Sequence, residues 1–157
     1  VQVLAASGLA MDPQFLLSFD EVRRYVAVKM LERAADRASE EDLDRIQAVL
    51  DSYPSDDTRA LLEGEWDFRF HREIARATGN PIFVYLLNTV RETFAALRSV
   101  YLRLDAEVSQ SVAELNEELL AALRARDGAR AVAALETRMN KDAEALQGMA
   151  QPARRPS

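Results

Sequence analysis

Two side chains able to exchange protons or bind metal ions, Asp67 and His71, lie four residues apart, and His71 is the only histidine. Within a helix this spacing places a carboxylate and an imidazole on one face, close enough to share a ligand or a metal ion. The apolar Ile74 borders that face, so both groups are expected to be partly buried. Such a pair is more often a structural ion pair or a satisfied core histidine, and the pair alone is weak evidence for a site.

Catalysis needs more than this pair provides. The chain contains no cysteine, which excludes disulfides, thiolate chemistry and cysteine-based metal sites. No glycine-rich phosphate-binding loop occurs, and neither a third catalytic partner nor an oxyanion donor is evident beside Asp67 and His71. We therefore expect no enzyme. A purely structural or adaptor bundle is one alternative; it would have a packed interior without a cavity between the third, fourth and sixth helices.

Helical periodicity extends over nearly the whole chain, and no strand-like alternation interrupts it. The signals that start and stop helices are, in order, Asp12-Pro13, Ser39–Asp42, Tyr53–Asp56, Thr78–Pro81, Asp105 and Arg126–Gly128. They include proline at a first helical position, a capping box and an Asn-Pro start. These signals predict an all-α fold, an antiparallel bundle of about six helices.

The apolar stripes predict which helix faces are buried. The stripe of the first helix consists of Phe15, Phe19, Val22, Val26 and Met30. The third helix carries Leu61, Leu62, Trp66, Phe70, Ile74 and Ala77. The fourth stripe consists of Phe83, Leu86, Leu87, Val90, Phe94, Leu97, Tyr101 and Leu104, so one long buried helix is expected there.

Composition limits the partners of this chain. Its 157 residues are enough for one domain, and 48% of them are hydrophobic and 29% charged. The net charge of −6 argues against a DNA-binding surface, because such surfaces are normally rich in Lys and Arg. No apolar run is long enough for a membrane span and no secretory signal is visible, so a cytoplasmic location is expected. The first residues are typical of a linker; they are expected to be either a cloning or processing artefact or the segment that followed an upstream domain, now cut away.

The segment from Trp66 to Pro81 resembles a family signature. It contains D-x-x-F-H-x-x-I-A-x-A-x-G-N-P, which recurs in the C-terminal (FCD) domain of FadR-type regulators in the bacterial GntR superfamily. The Glu21–Arg23 segment is similar to the family's E-x-R element, and Leu120–Asp127 with the alanine-rich run after it has the family's closing pattern. The resemblance covers about residues 15–148. It implies an effector-binding and dimerisation domain at 13–150, after a linker at 1–12 from a missing winged helix-turn-helix domain, with a disordered tail at 151–157.

Many members of this family hold a divalent metal with the Asp and His of that helix and two further histidines. Carried over by position, Asp67 and His71 match the first two ligands, whereas Asn116 and Arg138 stand where the other two histidines are expected. An amide is a feeble metal ligand, and a guanidinium is a permanent cation without a lone pair to donate. We therefore expect a degenerate site without metal or other cofactor, in which Asp67 and His71 are residual candidates and Arg138 can pair with Asp67.

The resemblance also suggests an effector class. The branch that responds to long-chain acyl-CoA is similar to this chain from Asn80 to Tyr101, and it too lacks the histidine set. A fatty acid or acyl-CoA-like ligand is therefore expected, with a small organic acid as the alternative. The candidate ligand-binding residues are Arg23, Asp67, His71, Tyr101, Asn116 and Arg138.

The family resemblance further implies a homodimer that contacts DNA only through the missing domain. Effector contacts with Arg23, and with Arg138, would favour one tilt of the first helix over another. In a dimer this tilt would change the separation of two recognition helices, whose DNA half-sites lie about 34 Å apart.

Overall fold

The computed structural model describes residues 13–52, 65–91, 93 and 108–150. Every regular element in these ranges is helical, so the expected all-α fold is confirmed. The six helices are α1 (Pro13–Arg37), α2 (Glu40–Asp51), α3 (Glu65–Ala77), α4 (Pro81–Thr89), α5 (Val108–Arg124) and α6 (Gly128–Ala150). None of these helices is both long and apolar enough to cross a lipid bilayer.

The predicted helix starts are built from local side-chain contacts. Ser39 caps α2 in a reciprocal capping box: its hydroxyl accepts from the Asp42 backbone N–H, and the Asp42 carboxylate accepts from the Ser39 N–H. Asn80 caps α4 through the Ile82 N–H, and Pro81 occupies the first helical turn, where a missing N–H costs little. The boundaries at Ser39 and Asn80 are therefore those that the sequence predicted.

The turn between α5 and α6 also hydrogen-bonds to the C-terminal end of α1. Arg126 adopts a left-handed backbone conformation, with φ of 58°, which ends α5 before α6 begins at Gly128. Its guanidinium donates to the backbone carbonyls of Ala35 and Ala38, at the C-terminal end of α1. These carbonyls have no partner within a helix, so Arg126 supplies one and joins the α5–α6 turn to α1.

The core lies where α1, α3, α5 and α6 meet, with α2 packed against α3 and α5. Its largest fully buried side chains are Met30, Leu31, Leu43, Ile46, Phe70, Ile74, Leu119, Leu123 and Met139. Trp66 donates its indole N–H to the Val49 carbonyl at 2.7 Å, which ties the start of α3 to the end of α2. This frame holds α3, and with it Asp67 and His71, in the centre of the bundle.

The sequence predicted more burial than the structure shows. In the α1 stripe only Met30 is fully buried, and Val22 is 61% exposed. In α4 no residue is fully buried, Leu86 is 41% exposed, and the helix ends at Thr89, short of the expected length. The reason is that the N-terminal half of α1 and the C-terminal half of α4 border a cavity. Several predictions lie outside the described residues. They are those for the segments 1–12, 53–56 and 151–157 and for Leu61, Leu62, Phe94, Leu97, Tyr101, Leu104 and Asp105.

Candidate functional site

A buried polar network joins three helices at the centre of the bundle. Asp67 on α3 is 3% exposed, Asn116 on α5 is 0% exposed and Arg138 on α6 is 3% exposed. Both Nη atoms of Arg138 donate to the Asp67 carboxylate, Nη1 to Oδ1 at 2.9 Å and Nη2 to Oδ2 at 2.6 Å. This bidentate ion pair combines charge attraction with fixed geometry.

Asn116 completes the network by bonding to both charged groups. Its amide nitrogen donates to Asp67 Oδ1 at 3.3 Å, and its amide oxygen accepts from Arg138 Nη1 at 3.1 Å. Buried charges are tolerated when they are paired and additionally hydrogen-bonded. The expected pairing of Arg138 with Asp67 is therefore present, and Asn116 supports both members of the pair.

His71 lies one turn after Asp67 on α3. Its Nε2 is 3.7 Å from Asp67 Oδ1, and its ring stands edge-on to Phe70 with ring centroids 5.6 Å apart. The residue is buried, more completely than the sequence suggested. His71 thereby connects the polar network on one side with the apolar cavity described below on the other.

A divalent metal does not fit this donor set. Both oxygens of Asp67 already accept from the Arg138 guanidinium, so a metal ion would have to displace a permanent cation held at 2.6 Å. Among the described residues, no three His, Cys, Asp or Glu side chains lie close enough to hold a metal ion together. The residues present are therefore suited to a metal-independent role.

An apolar cavity of about 160 Å³ opens beside His71, between α1, α3, α4 and α6. Its described lining is mainly aliphatic and aromatic: Phe19, Val22, Val26, Ala27, Met30, Leu86, Leu87, Val90, Leu135 and Met139. The remaining lining residues are Arg23, His71 and Thr89. A cavity is therefore present next to the third, fourth and sixth helices, where a purely structural bundle was expected to lack one.

Arg23, on the cavity wall, is held by an acid from its own helix. Its Nε and Nη2 both donate to Oδ1 of Asp20, three residues earlier on α1. Asp20 is 4% exposed, and the Arg23 side chain is also largely buried. Sequence reasoning missed Asp20; its three-residue spacing from Arg23 was the available signal.

The structure separates the predicted site residues into two groups. Arg23 and His71 line the cavity, whereas Asp67, Asn116 and Arg138 form the network adjoining His71 and are not among the lining residues. Tyr101 lies outside the described residues.

Comparison with known proteins identifies the family. Residues 20–141 match the FCD domain. The chain belongs to the FCD domain family. This result confirms the resemblance to the effector-binding domain of GntR-type regulators, and it makes the chain a regulatory domain and not an enzyme.

Relatives of this FCD domain are transcription regulators. It is 29% identical to the HTH-type transcriptional regulator LutR of Bacillus subtilis (strain 168), over 91% of this chain and 67% of that protein. It is 25% identical to the galactonate operon transcriptional repressor of Escherichia coli (strain K12), over 74% of this chain and 51% of the repressor. The chain thus spans between half and two thirds of the length of these relatives.

A solved structure shares the fold. E. coli McbR/YncC superposes with a TM-score of 0.66 at 19% identity, covering 88% of this chain and 66% of the other. At this identity the likeness supports the all-helical architecture alone.

Proposed function

We propose that this FCD domain senses an acid with an apolar tail, a fatty acid or an acyl-CoA-like compound, on behalf of a GntR-type transcription regulator. The observation that carries the proposal is the apolar cavity with two cationic or potentially cationic side chains, Arg23 and His71, on its wall. An aliphatic lining favours a hydrocarbon tail, and Arg23 favours an anionic head.

The size of the cavity bears on the length of the tail. A protein cavity of about 150 Å³ lined by apolar side chains accommodates benzene, so 160 Å³ corresponds to roughly six carbon atoms. Each methylene moved from water into such a site contributes about 0.8 kcal/mol. Affinity for a series of carboxylates is therefore expected to rise with tail length up to about six to eight carbons.

Arg23 and His71 are the residues that contact the acidic head of the effector in this proposal. A guanidinium makes strong, directional hydrogen bonds to a carboxylate, and in an apolar cavity these bonds have little competition from water. Asp67, Asn116 and Arg138 act indirectly in this proposal, by holding α3, α5 and α6 in place around His71. Tyr101 remains a candidate contact from the sequence.

Arg23 also provides the route from effector to DNA. It lies in the N-terminal half of α1, and α1 packs along α6. An effector shifts the domain between two states only through its different affinity for them. We propose that contact with Arg23 favours one tilt of α1, and that a homodimer transmits this tilt to an N-terminal DNA-binding domain. Sedimentation at micromolar concentration tests the dimer, and a monomer would contradict it.

Thermal-shift and calorimetric titrations test the effector class. Hexanoate, octanoate and decanoate should raise the melting temperature more than citrate, malonate or lactate, since ligands that bind only the folded state stabilise it. Octanol, which has the same tail without the charge, should bind more weakly than octanoate. Equal effects of octanol and octanoate would contradict the proposed contact between the charged head of the ligand and Arg23.

A small organic acid is the second candidate. The relative named as a repressor of a galactonate operon favours it, since galactonate is a polar acid. Under this alternative the thermal-shift order is reversed, with the small hydroxy acids above the alkyl carboxylates. A domain with a purely structural or dimerisation role would respond to neither group of compounds.

A further inference from the structure

We infer that Asp20 is an internal competitor for Arg23, a carboxylate of the domain itself with which an incoming acidic effector competes. The inference rests on the proposed binding of an acid in the cavity beside Arg23. It assigns to Asp20 a role in specificity: the residue sets how strongly an acid must bind before Arg23 changes partner.

The contact geometry supports this role. Asp20 engages Arg23 at Nε and Nη2 through the single oxygen Oδ1. Nε and Nη2 form one of the two edges of a guanidinium that can donate to both oxygens of a ligand carboxylate. Asp20 therefore occupies one of the two edges of Arg23 that an effector head could use.

Because Asp20 is buried, breaking its bonds to Arg23 costs free energy. Asp20 is 4% exposed and is not among the cavity-lining residues, whereas Arg23 is one of them. No acidic side chain appears in the described lining, and among the described residues Asp20 is a carboxylate that pairs with Arg23 at this wall. When Arg23 turns to a ligand, Asp20 loses these bonds in a region with little access to water, which opposes binding.

The exchange has a consequence for selectivity. A neutral molecule that fills the cavity gains apolar burial without disturbing the Asp20–Arg23 pair. An acid gains the same burial and must also compete with Asp20 for the guanidinium. Asp20 therefore lowers the affinity for acids and leaves the affinity for neutral analogues unchanged.

The test compares octanoate with octanol in the parent and in Asp20→Asn. The asparagine keeps the shape and removes the charge, so octanoate affinity should increase about tenfold, as expected for removing one competing charge at short range. Octanol affinity should stay within about twofold of the parent value, because its binding involves no exchange at Arg23. Isothermal titration calorimetry gives both constants.

Two further variants separate competition from general effects of charge and folding. Asp36→Asn removes the same charge from an exposed position on α1 and should leave octanoate affinity unchanged. Asp20→Glu keeps the carboxylate and should behave like the parent. If Asp20→Asn is unstable, octanoate should raise its melting temperature by more than it raises that of the parent, and octanol should not.

The outcomes distinguish the inference from the proposed function. Octanoate binding by the parent, with equal or weaker binding by Asp20→Asn, overturns the competitor role and leaves the sensor function intact. An equal gain for octanol and octanoate would also overturn it, because the variant would then act on the cavity as a whole. Binding of octanoate by neither protein overturns both.

Discussion

Arg138 on α6 and Asp67 on α3, 71 residues apart in sequence, meet in the interior through two parallel hydrogen bonds of 2.9 and 2.6 Å. Each residue is 3% exposed, so water gives neither charge an alternative partner. A buried ion pair of this kind adds little stability over an apolar pair, but loss of one partner leaves an uncompensated charge. The pair therefore makes the relative placement of α3 and α6 depend on both residues.

Replacing Arg138 alone should strongly destabilise the fold. Arg138→Met leaves the Asp67 carboxylate buried beside an apolar side chain, and the free energy of unfolding should fall by about 3–5 kcal/mol. Urea denaturation followed by circular dichroism measures the loss. Arg130→Met on the same helix breaks an exposed pair with Glu118 and should have a much smaller effect.

The double variant Asp67→Leu with Arg138→Met isolates the cause. It removes both charges, so it should be more stable than Arg138→Met alone. If the double variant is the less stable of the two, stranding the Asp67 carboxylate costs less than losing its remaining hydrogen bond with Asn116.

Filling the cavity should weaken ligand binding without unfolding the domain. Ala27 lies on α1 and lines the cavity, and leucine is a good helix former. In Ala27→Leu the added carbons occupy space that the ligand tail would use, so octanoate affinity should fall at least about tenfold, which matches the loss of two buried methylenes. Calorimetry gives the affinity, and thermal denaturation should show an unchanged or raised melting temperature.

Ala133→Leu is the matched control for Ala27→Leu. Ala133 is an exposed residue of α6 outside the cavity lining, so the same substitution there should leave octanoate affinity unchanged. Parent-like octanoate binding by Ala27→Leu would show that the tail lies elsewhere.

The capping box at the start of α2 should make stability depend on pH. Burial alone would raise the pKa of Asp42, but bonds from the Ser39 backbone N–H and hydroxyl, together with Arg45, outweigh it and hold that pKa below 3.8. A carboxyl with a lowered pKa in the folded state stabilises the protein above its unfolded pKa. That stabilisation is lost as the pH falls through the folded value.

Substitutions in the capping box should reveal this pH dependence of stability. Ser39→Ala should lower the free energy of unfolding by about 1 kcal/mol at neutral pH. The difference between the parent and Asp42→Asn should be constant at neutral pH and should shrink below about pH 4. Denaturation at a series of pH values measures both. A difference that grows as the pH falls would contradict the assigned direction.

The sequence predicted the boundaries at Ser39, Asn80 and Arg126 because they depend on local chemistry. The caps at Ser39 and Asn80 satisfy backbone groups of residues close in sequence, and the turn at Arg126 returns the Asp127 N–H to the Ala122 carbonyl. Burial was predicted less well. The period of an apolar stripe identifies one face of a helix, but tertiary neighbours decide whether that face is covered, as Val22 and Leu86 show.

The candidate site also contains contacts that the sequence predicted and one contact that it did not predict. The association of Asp67 with Arg138 and Asn116 followed from the family resemblance, which places three distant segments together. Asp20 could not be singled out, because Glu21 lies beside it and Arg24 beside Arg23, so helical spacing alone allows several ion pairs. The fold selects one of them by burying Asp20 and leaving Glu21 exposed.

The polar network also predicts that metal binding can be restored. In the parent, Arg138 holds both oxygens of Asp67, so no stoichiometric zinc or nickel should remain after dialysis. Asn116 and Arg138 both contact Asp67, and histidines at these two positions would therefore face the same carboxylate as His71. Asn116→His with Arg138→His should complete an Asp–His₃ set, four ligands of the types that zinc and nickel accept.

Titration calorimetry with zinc or nickel decides this prediction. The affinity of the double variant should exceed that of the parent by orders of magnitude, and metal should raise its melting temperature, because binding is confined to the folded state. Asn116→His alone keeps the Arg138 cation and should gain little, and Asp67→Asn in the double variant should remove most of the gain. Tight binding by the parent would mean that a metal ion displaces Arg138 from Asp67. No gain in the double variant would mean that positions 116 and 138 cannot direct imidazole nitrogens to a common point with Asp67 and His71.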